Sequence, residues 1–81
     1  MDISKYDLEI KHHVFIQAVK RGIHPDLIED ILIKGQVERF GKHGIKFICK
    51  GNKRAIICVG QIIGTKIKIF TIEEAQNEKM L

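Results

Sequence analysis

The chain has 81 residues, a formal net charge of +4, 44% hydrophobic and 30% charged residues. That length leaves room for one hydrophobic core, and that balance is too apolar for a disordered chain. A single domain over 1–81 is therefore expected, with a helical hairpin over 5–34, an antiparallel sheet over 36–72 and a tail over 73–81.

Asp2, Lys5, Asp7, Glu9 and Lys11 are mixed through the first residues, which lack the apolar stretch and cleavage site of a secretory leader. The longest apolar run, 55–63, is broken by Gly60 and Gln61. It falls well short of the roughly 20 residues that cross a bilayer. A cytoplasmic protein is the expectation.

Apolar residues Leu8, Ile10, Val14, Phe15, Ala18 and Val19 recur at helical spacing, which predicts a first helix over 5–21 stopped by Gly22. His24-Pro25-Asp26 reads as a second start, since proline suits the first helical position and a carboxylate suits the positive end of the helix dipole. Leu27, Ile28, Ile31 and Leu32 form the stripe expected to be buried, and Gly35 ends the helix. The short connection makes the two helices a tight hairpin.

After Gly35 the period changes to alternation. Four strands are predicted, over 37–40, 45–50, 54–63 and 66–72, with turns at Gly41-Lys42-His43-Gly44, Gly51-Asn52-Lys53 and Gly64-Thr65. Short turns make neighbouring strands antiparallel. A three-residue loop at 51–53 puts Ile45, Phe47 and Cys49 on one face with Ala55, Ile57 and Val59, and Lys46, Lys50 and Arg54 on the other. A two-residue loop shifts that register by one and mixes the faces. The longer loop separates apolar from basic residues more cleanly and is preferred. The tail from 73 onward permits a short C-terminal helix. The fold class is thus α+β: two N-terminal helices packed on one face of a four-stranded antiparallel sheet.

Cys49 and Cys58 fall on neighbouring strands but not opposite each other, too far apart for the ~5.5 Å Cα separation of a disulfide. Both are read as buried thiols. His12, His13, His24 and His43 lack the close paired spacing of a zinc site, so no metal and no cofactor are expected.

Acidic residues crowd the helices and the tail, whereas the stretch from Lys34 to Lys68 sets Lys34, Arg39, Lys42, Lys46, Lys50, Lys53, Arg54, Lys66 and Lys68 against Glu38 alone. Such a field attracts a phosphate backbone or an acidic protein alike. Lys46, Lys50, Arg54, Lys66 and Lys68 are the candidate nucleic-acid-binding residues, with Phe70 as a stacking surface for a base. Lysines on a solvated sheet face also serve to block edge-to-edge aggregation.

On the first helix His13, Gln17 and Arg21 stack at i, i+4 and i+8 as a polar ridge beside the apolar stripe. Metal-free RNA cleavage needs proton-transfer groups and a cation on the phosphate, which His13 with Arg21, or with sheet lysines, would supply. Alternatively His13 hydrogen-bonds to the sheet and Arg21 caps helix carbonyls.

The segment His13-Val14-Phe15-Ile16-Gln17-Ala18-Val19-Lys20-Arg21-Gly22-Ile23, followed by a second helix and a meander ending in Phe70-Thr71-Ile72, resembles a small prokaryotic domain family of unknown function. Its first helix typically reads His-x-x-x-Arg-Met-x-x-Arg-Gly-Ile-Ser, and its last strand carries an apolar-Thr-apolar core. His13, Arg21, Gly22, Ile23 and Thr71 match, while Gln17 stands where the family has its first Arg and His24 where it has Ser. The family is similar in architecture to the RelE-like and barnase-like toxin nucleases. The resemblance implies a metal-independent endoribonuclease of a toxin-antitoxin type system, with His13, Arg21 and Thr71 as catalytic candidates, RNA as substrate and an acidic antitoxin-like protein as partner. Two other readings stand beside it: a non-catalytic RNA- or protein-binding module using the basic sheet face, and a homodimer formed through Ile16 and Ile33, which lie off the buried stripes.

Overall fold

Asp7-Leu8-Glu9-Ile10 alternates polar and apolar side chains, and in the computed structural model this stretch is a strand rather than the first turn of a helix. The structure describes residues 3–51 and 54–76. After a single 3-10 turn at Ile3–Lys5, the elements run β1 (Asp7–Ile10), α1 (His12–Lys20), α2 (Leu27–Lys34), β2 (Gln36–Phe40), β3 (Gly44–Lys50), β4 (Arg54–Ile63) and β5 (Lys66–Gln76).

The five strands form one mixed sheet in the order β1-β5-β4-β3-β2. Strands β2 to β5 are an antiparallel meander, and β1 adds to its far edge parallel to β5. This corrects the expected four-stranded antiparallel sheet. The apolar residues Leu8 and Ile10 fit a helical period and an alternating one equally well, and pairing with Ile67 and Ile69 selects the second. Residues 73–76 continue β5, so the short C-terminal helix is not formed there; residues 77–81 lie outside the described residues.

Helix α1 ends as its sequence requires. Gly22 takes φ +74°, the Ile23 N–H donates to the Ala18 carbonyl at 2.8 Å, and the Gly22 N–H donates to the Val19 carbonyl at 3.1 Å. This is a Schellman cap, completed by burial of the Ile23 side chain. The stop of α2 is of another kind. Gly35 is extended, and a side chain there would strike the Ile31 and Ile48 carbonyl oxygens, so glycine serves for close approach rather than for a left-handed turn.

Val14, Ala18, Ile28, Ile31 and Leu32 from the helices meet Ile45, Phe47, Cys58, Ile67, Ile69 and Ile72 from the sheet in one buried cluster. Leu27, expected in that cluster, stays 42% exposed, while Ile28, Ile31 and Leu32 turn inward. Both helices lie on this one face. The opposite face carries no element among the described residues.

The β3–β4 register differs from the preferred one by a single residue. Lys50 pairs with Ala55 and Cys49 with Ile56, and the Gly51 N–H donates to the Arg54 carbonyl at 2.8 Å. Cys49, expected to be buried, is exposed near the end of β3, while Cys58 is buried opposite Phe47; both are free thiols. Burial pushes the Cys58 thiol up to about 12, with a smaller contribution from Cys49.

Strand β5 carries a bulge. Val59 pairs with Thr71 and Gly60 with Ile69, so Phe70 is the extra residue. Gly60 sits where a Cβ would collide with the Lys68 carbonyl oxygen.

Candidate functional site

The one-residue register change redistributes the basic residues. Side chains alternate along a strand, and Ile45 and Phe47 are buried under the helices, so Lys46 and Lys50 point to the uncovered face. Lys66 and Lys68 join them there, because they alternate with buried Ile67 and Ile69. Arg54 does not. It shares the parity of Cys58, lies on the helix side and donates from Nη1 to Glu74 Oε2 at 2.7 Å. The expected grouping of Lys46, Lys50 and Arg54 is thereby corrected: four of the five nucleic-acid candidates share a face and the fifth is held in an ion pair across from them.

Folding also brings acids to that face that the linear sequence keeps distant. Asp7 and Glu9 of β1 lie in register with Lys66 and Lys68 of β5. Glu9 approaches Lys11 at 2.8 Å and Lys66 at 3.7 Å. The Lys11 hydrogen bond and charge, helped by Lys66 and Lys68, hold the Glu9 carboxyl below its ordinary range. The β5 edge of the face is thus partly neutralised, and on its other side Glu38 of β2 stands in register with Lys46 of β3, next to the β2–β3 turn.

Here the face has relief. Phe40, Lys42, His43, Val59, Gln61 and Phe70 line a groove of about 490 Å³ that also takes in Gly41, Gly44 and Gly60. Phe40 lies in close contact over Gly44, where a Cβ would strike its ring. The Lys46 ammonium stands 5.2 Å from the Phe40 ring centroid, within cation–π range. Gly41 takes φ +60°, which closes the three-residue turn carrying Lys42 and His43. The His43 carbonyl accepts the Ile62 N–H at 2.8 Å, and Arg39 Nε donates to the Gly44 carbonyl at 3.2 Å. The turn is pinned from both sides.

The catalytic candidates lie elsewhere. His13 is exposed on α1, and Arg21 is exposed at its C-terminal end, about 12 Å farther along the helix axis. Thr71 Oγ1 donates to Gln17 Oε1 at 3.2 Å, and the Ile72 N–H lies 3.4 Å from the same oxygen. Of the ridge His13-Gln17-Arg21, Gln17 is the residue that reaches the sheet. The sheet separates His13 and Arg21 from Lys46, Lys50, Lys66 and Lys68, so the helix-borne imidazole and the sheet lysines are not brought together.

Phe40, His43 and Gln61 were not singled out by composition or spacing. The signal that finds them is the strand register, since Lys46 and Phe40 become neighbours only once Gly44 is paired with Phe40 and Glu38 with Lys46. On the helical layer Ile16 is 44% and Ile33 70% exposed, Ile16 beside an apolar groove and Ile33 beside a mixed one that also takes in Glu29; the two share Phe15.

Among the described residues no three His, Cys, Asp or Glu side chains gather around a point where a metal ion fits, and no helix is long and apolar enough to cross a membrane. No family model, no curated protein and no solved structure matches this chain.

Proposed function

We propose that the protein is a non-catalytic RNA-binding module that receives single-stranded RNA on its open sheet face. One observation carries this reading: Lys46, Lys50, Lys66 and Lys68 stand on the face that the helices leave uncovered, together with Phe40 and half-buried Phe70. Lysines track a phosphate backbone, and aromatic rings between them stack on bases whatever the sequence, the combination single-strand binders use. A duplex suits the face less well. Its bases are already stacked and leave the two rings without partners.

Cleavage is not part of the proposal, because His13 and Arg21 are on the other side of the sheet from the phosphate-binding lysines. The test is titration of a labelled single-stranded RNA at several salt concentrations in the presence of a chelator, with the length of the RNA read afterwards. Binding that weakens steeply with salt, is reduced in Lys46→Ala and Lys50→Ala and leaves the RNA intact is the expected result. Salt-independent binding, or none, overturns it. Shortened RNA with His13→Ala inactive restores the toxin-nuclease reading.

A further inference from the structure

The groove at the β2–β3 turn differs from the rest of the open face: it has two aromatic walls, Phe40 and Phe70, with Lys42, His43 and Gln61 also lining it. We infer that it is a binding pocket for one unstacked nucleobase of a single-stranded RNA, with Phe70 as the stacking surface, Gln61 and His43 reading the edge of the base, and Lys42 with Lys46 holding the adjoining phosphates. The inference rests on the proposed RNA-binding role of the same face and adds the place where a base enters.

Four features support a base over other flat ligands. The volume of about 490 Å³ lies within the range of small-ligand sites and accommodates a nucleotide. The bulge makes Phe70 the extra residue of β5, and bulges re-aim side chains beside binding sites. The Gln61 amide offers both donors and an acceptor, and the imidazole of His43 offers one of each when neutral, the complement of a base edge. Cations stand at the rim in Lys42 and Lys46, while the groove lining holds no carboxylate among the described residues, and the nearest acid in register, Glu38, faces Lys46 from β2. An aromatic side chain of a peptide meets the ring but leaves those cations without a counter-charge. A nucleotide meets both.

Phe40 has a different part from Phe70. Its ring is packed over Gly44 and held beneath the Lys46 ammonium, so it forms a fixed wall that also positions that cation. The neighbouring turn is tied by the Ile62 to His43 and Arg39 to Gly44 hydrogen bonds, so the pocket exists before a ligand arrives.

The experiment uses a short oligouridylate carrying one 2-aminopurine, whose emission is quenched when it stacks on an aromatic ring. The full chain is titrated beside Phe70→Leu, His43→Ala and the helix control His13→Ala, with an RNA lacking the central base as a second probe. The expected result is quenching on binding, affinity about fivefold or more weaker in Phe70→Leu and for the abasic RNA, and a smaller loss in His43→Ala. His43 lies on an exposed turn, so its variant keeps the readout interpretable should Phe70→Leu fold poorly. Binding without quenching, with full-length and abasic RNA held equally and His43→Ala unchanged, overturns the base pocket and leaves the RNA-binding face standing. Absence of binding to either RNA overturns both.

Discussion

Gln17 and Thr71 are joined by a side-chain hydrogen bond of 3.2 Å between the middle of α1 and the bulged part of β5, and the same Gln17 oxygen faces the Ile72 N–H at 3.4 Å. Two donors converging on one atom fix the amide's orientation, since its nitrogen has no lone pair to offer either. The bulge interrupts the regular ladder beside these residues, and the Gln17 side chain supplies an acceptor there.

Replacement of that acceptor is expected to cost stability, not RNA binding. Gln17→Leu leaves a hydroxyl and an N–H in a part-buried site without their partner, a loss of about 1 to 3 kcal/mol in chemical denaturation. Gln17→Arg puts donors where an acceptor is needed and is expected to fall in the same range, whereas Gln17→Glu keeps the acceptor and loses less. Equal stability of Gln17→Arg and the parent chain contradicts the assignment.

Gly60→Ala is expected to be among the most damaging small substitutions in the sheet. The added methyl meets the Lys68 carbonyl oxygen, a backbone atom that cannot rotate away. Overpacking typically costs about 1 to 3 kcal/mol, and the upper end or beyond is expected because β5 itself must move. Thermal unfolding reads the effect. Gly41→Ala, with open space around the new methyl but a φ of +60°, is expected to cost about 1 kcal/mol from backbone strain alone.

The lysines are expected to separate by position. Each phosphate contact removed lowers the slope of log affinity against log salt by about 0.7 for a single strand. Lys46→Ala and Lys50→Ala are each expected to show that change. Lys66→Ala is expected to show less, because Glu9 already stands 3.7 Å from the Lys66 ammonium. His13→Ala and Arg54→Ala, on the helix side, leave the slope as it is. Filter binding across a salt series measures all five, and a uniform loss contradicts the assignment of faces.

Cys58 makes stability fall in alkali. Its thiol is pushed up to about 12 in the folded chain from an ordinary 9.0, so the folded state holds its proton after the unfolded state has released it. The contribution is complete below the lower value and is lost as pH rises between the two. The slope is at most about 1.4 kcal/mol per pH unit. Urea denaturation at about pH 8 and about pH 10 under reducing conditions is expected to show a smaller decline in Cys58→Ala than in the parent chain. An identical decline removes Cys58 as its source.

The elements with their own local punctuation were legible in the sequence. Gly22 marked the end of α1, Gly64-Thr65 marked a two-residue turn, and Gly41 to Gly44 marked the β2–β3 turn, because backbone geometry at those points depends on the residues that make it. What escaped is whatever a distant strand decides. Leu8 and Ile10 became β1 only because Ile67 and Ile69 present a free edge. The β3–β4 register was weighed on the separation of basic from apolar residues, and that criterion failed for a specific reason: Arg54 is satisfied on the helix side by Glu74, a residue assigned to the tail. The candidate face was half legible for the same reason. The lysines announced themselves by composition, whereas Phe40, His43 and Gln61 acquire a common location only through pairing.

The parallel pair of β1 with β5 has a consequence for the order of assembly. The strand that comes first in the chain completes its place only when the last strand is present, nearly the whole described length later. Contacts between distant positions form slowly, since a long loop must close before they contribute. During synthesis Leu8 and Ile10 therefore remain without the strand that covers them while the helical hairpin and the meander take shape. A chain interrupted before β5 loses the neighbour of both β1 and β4 together, and leaves four strand edges unpaired instead of two.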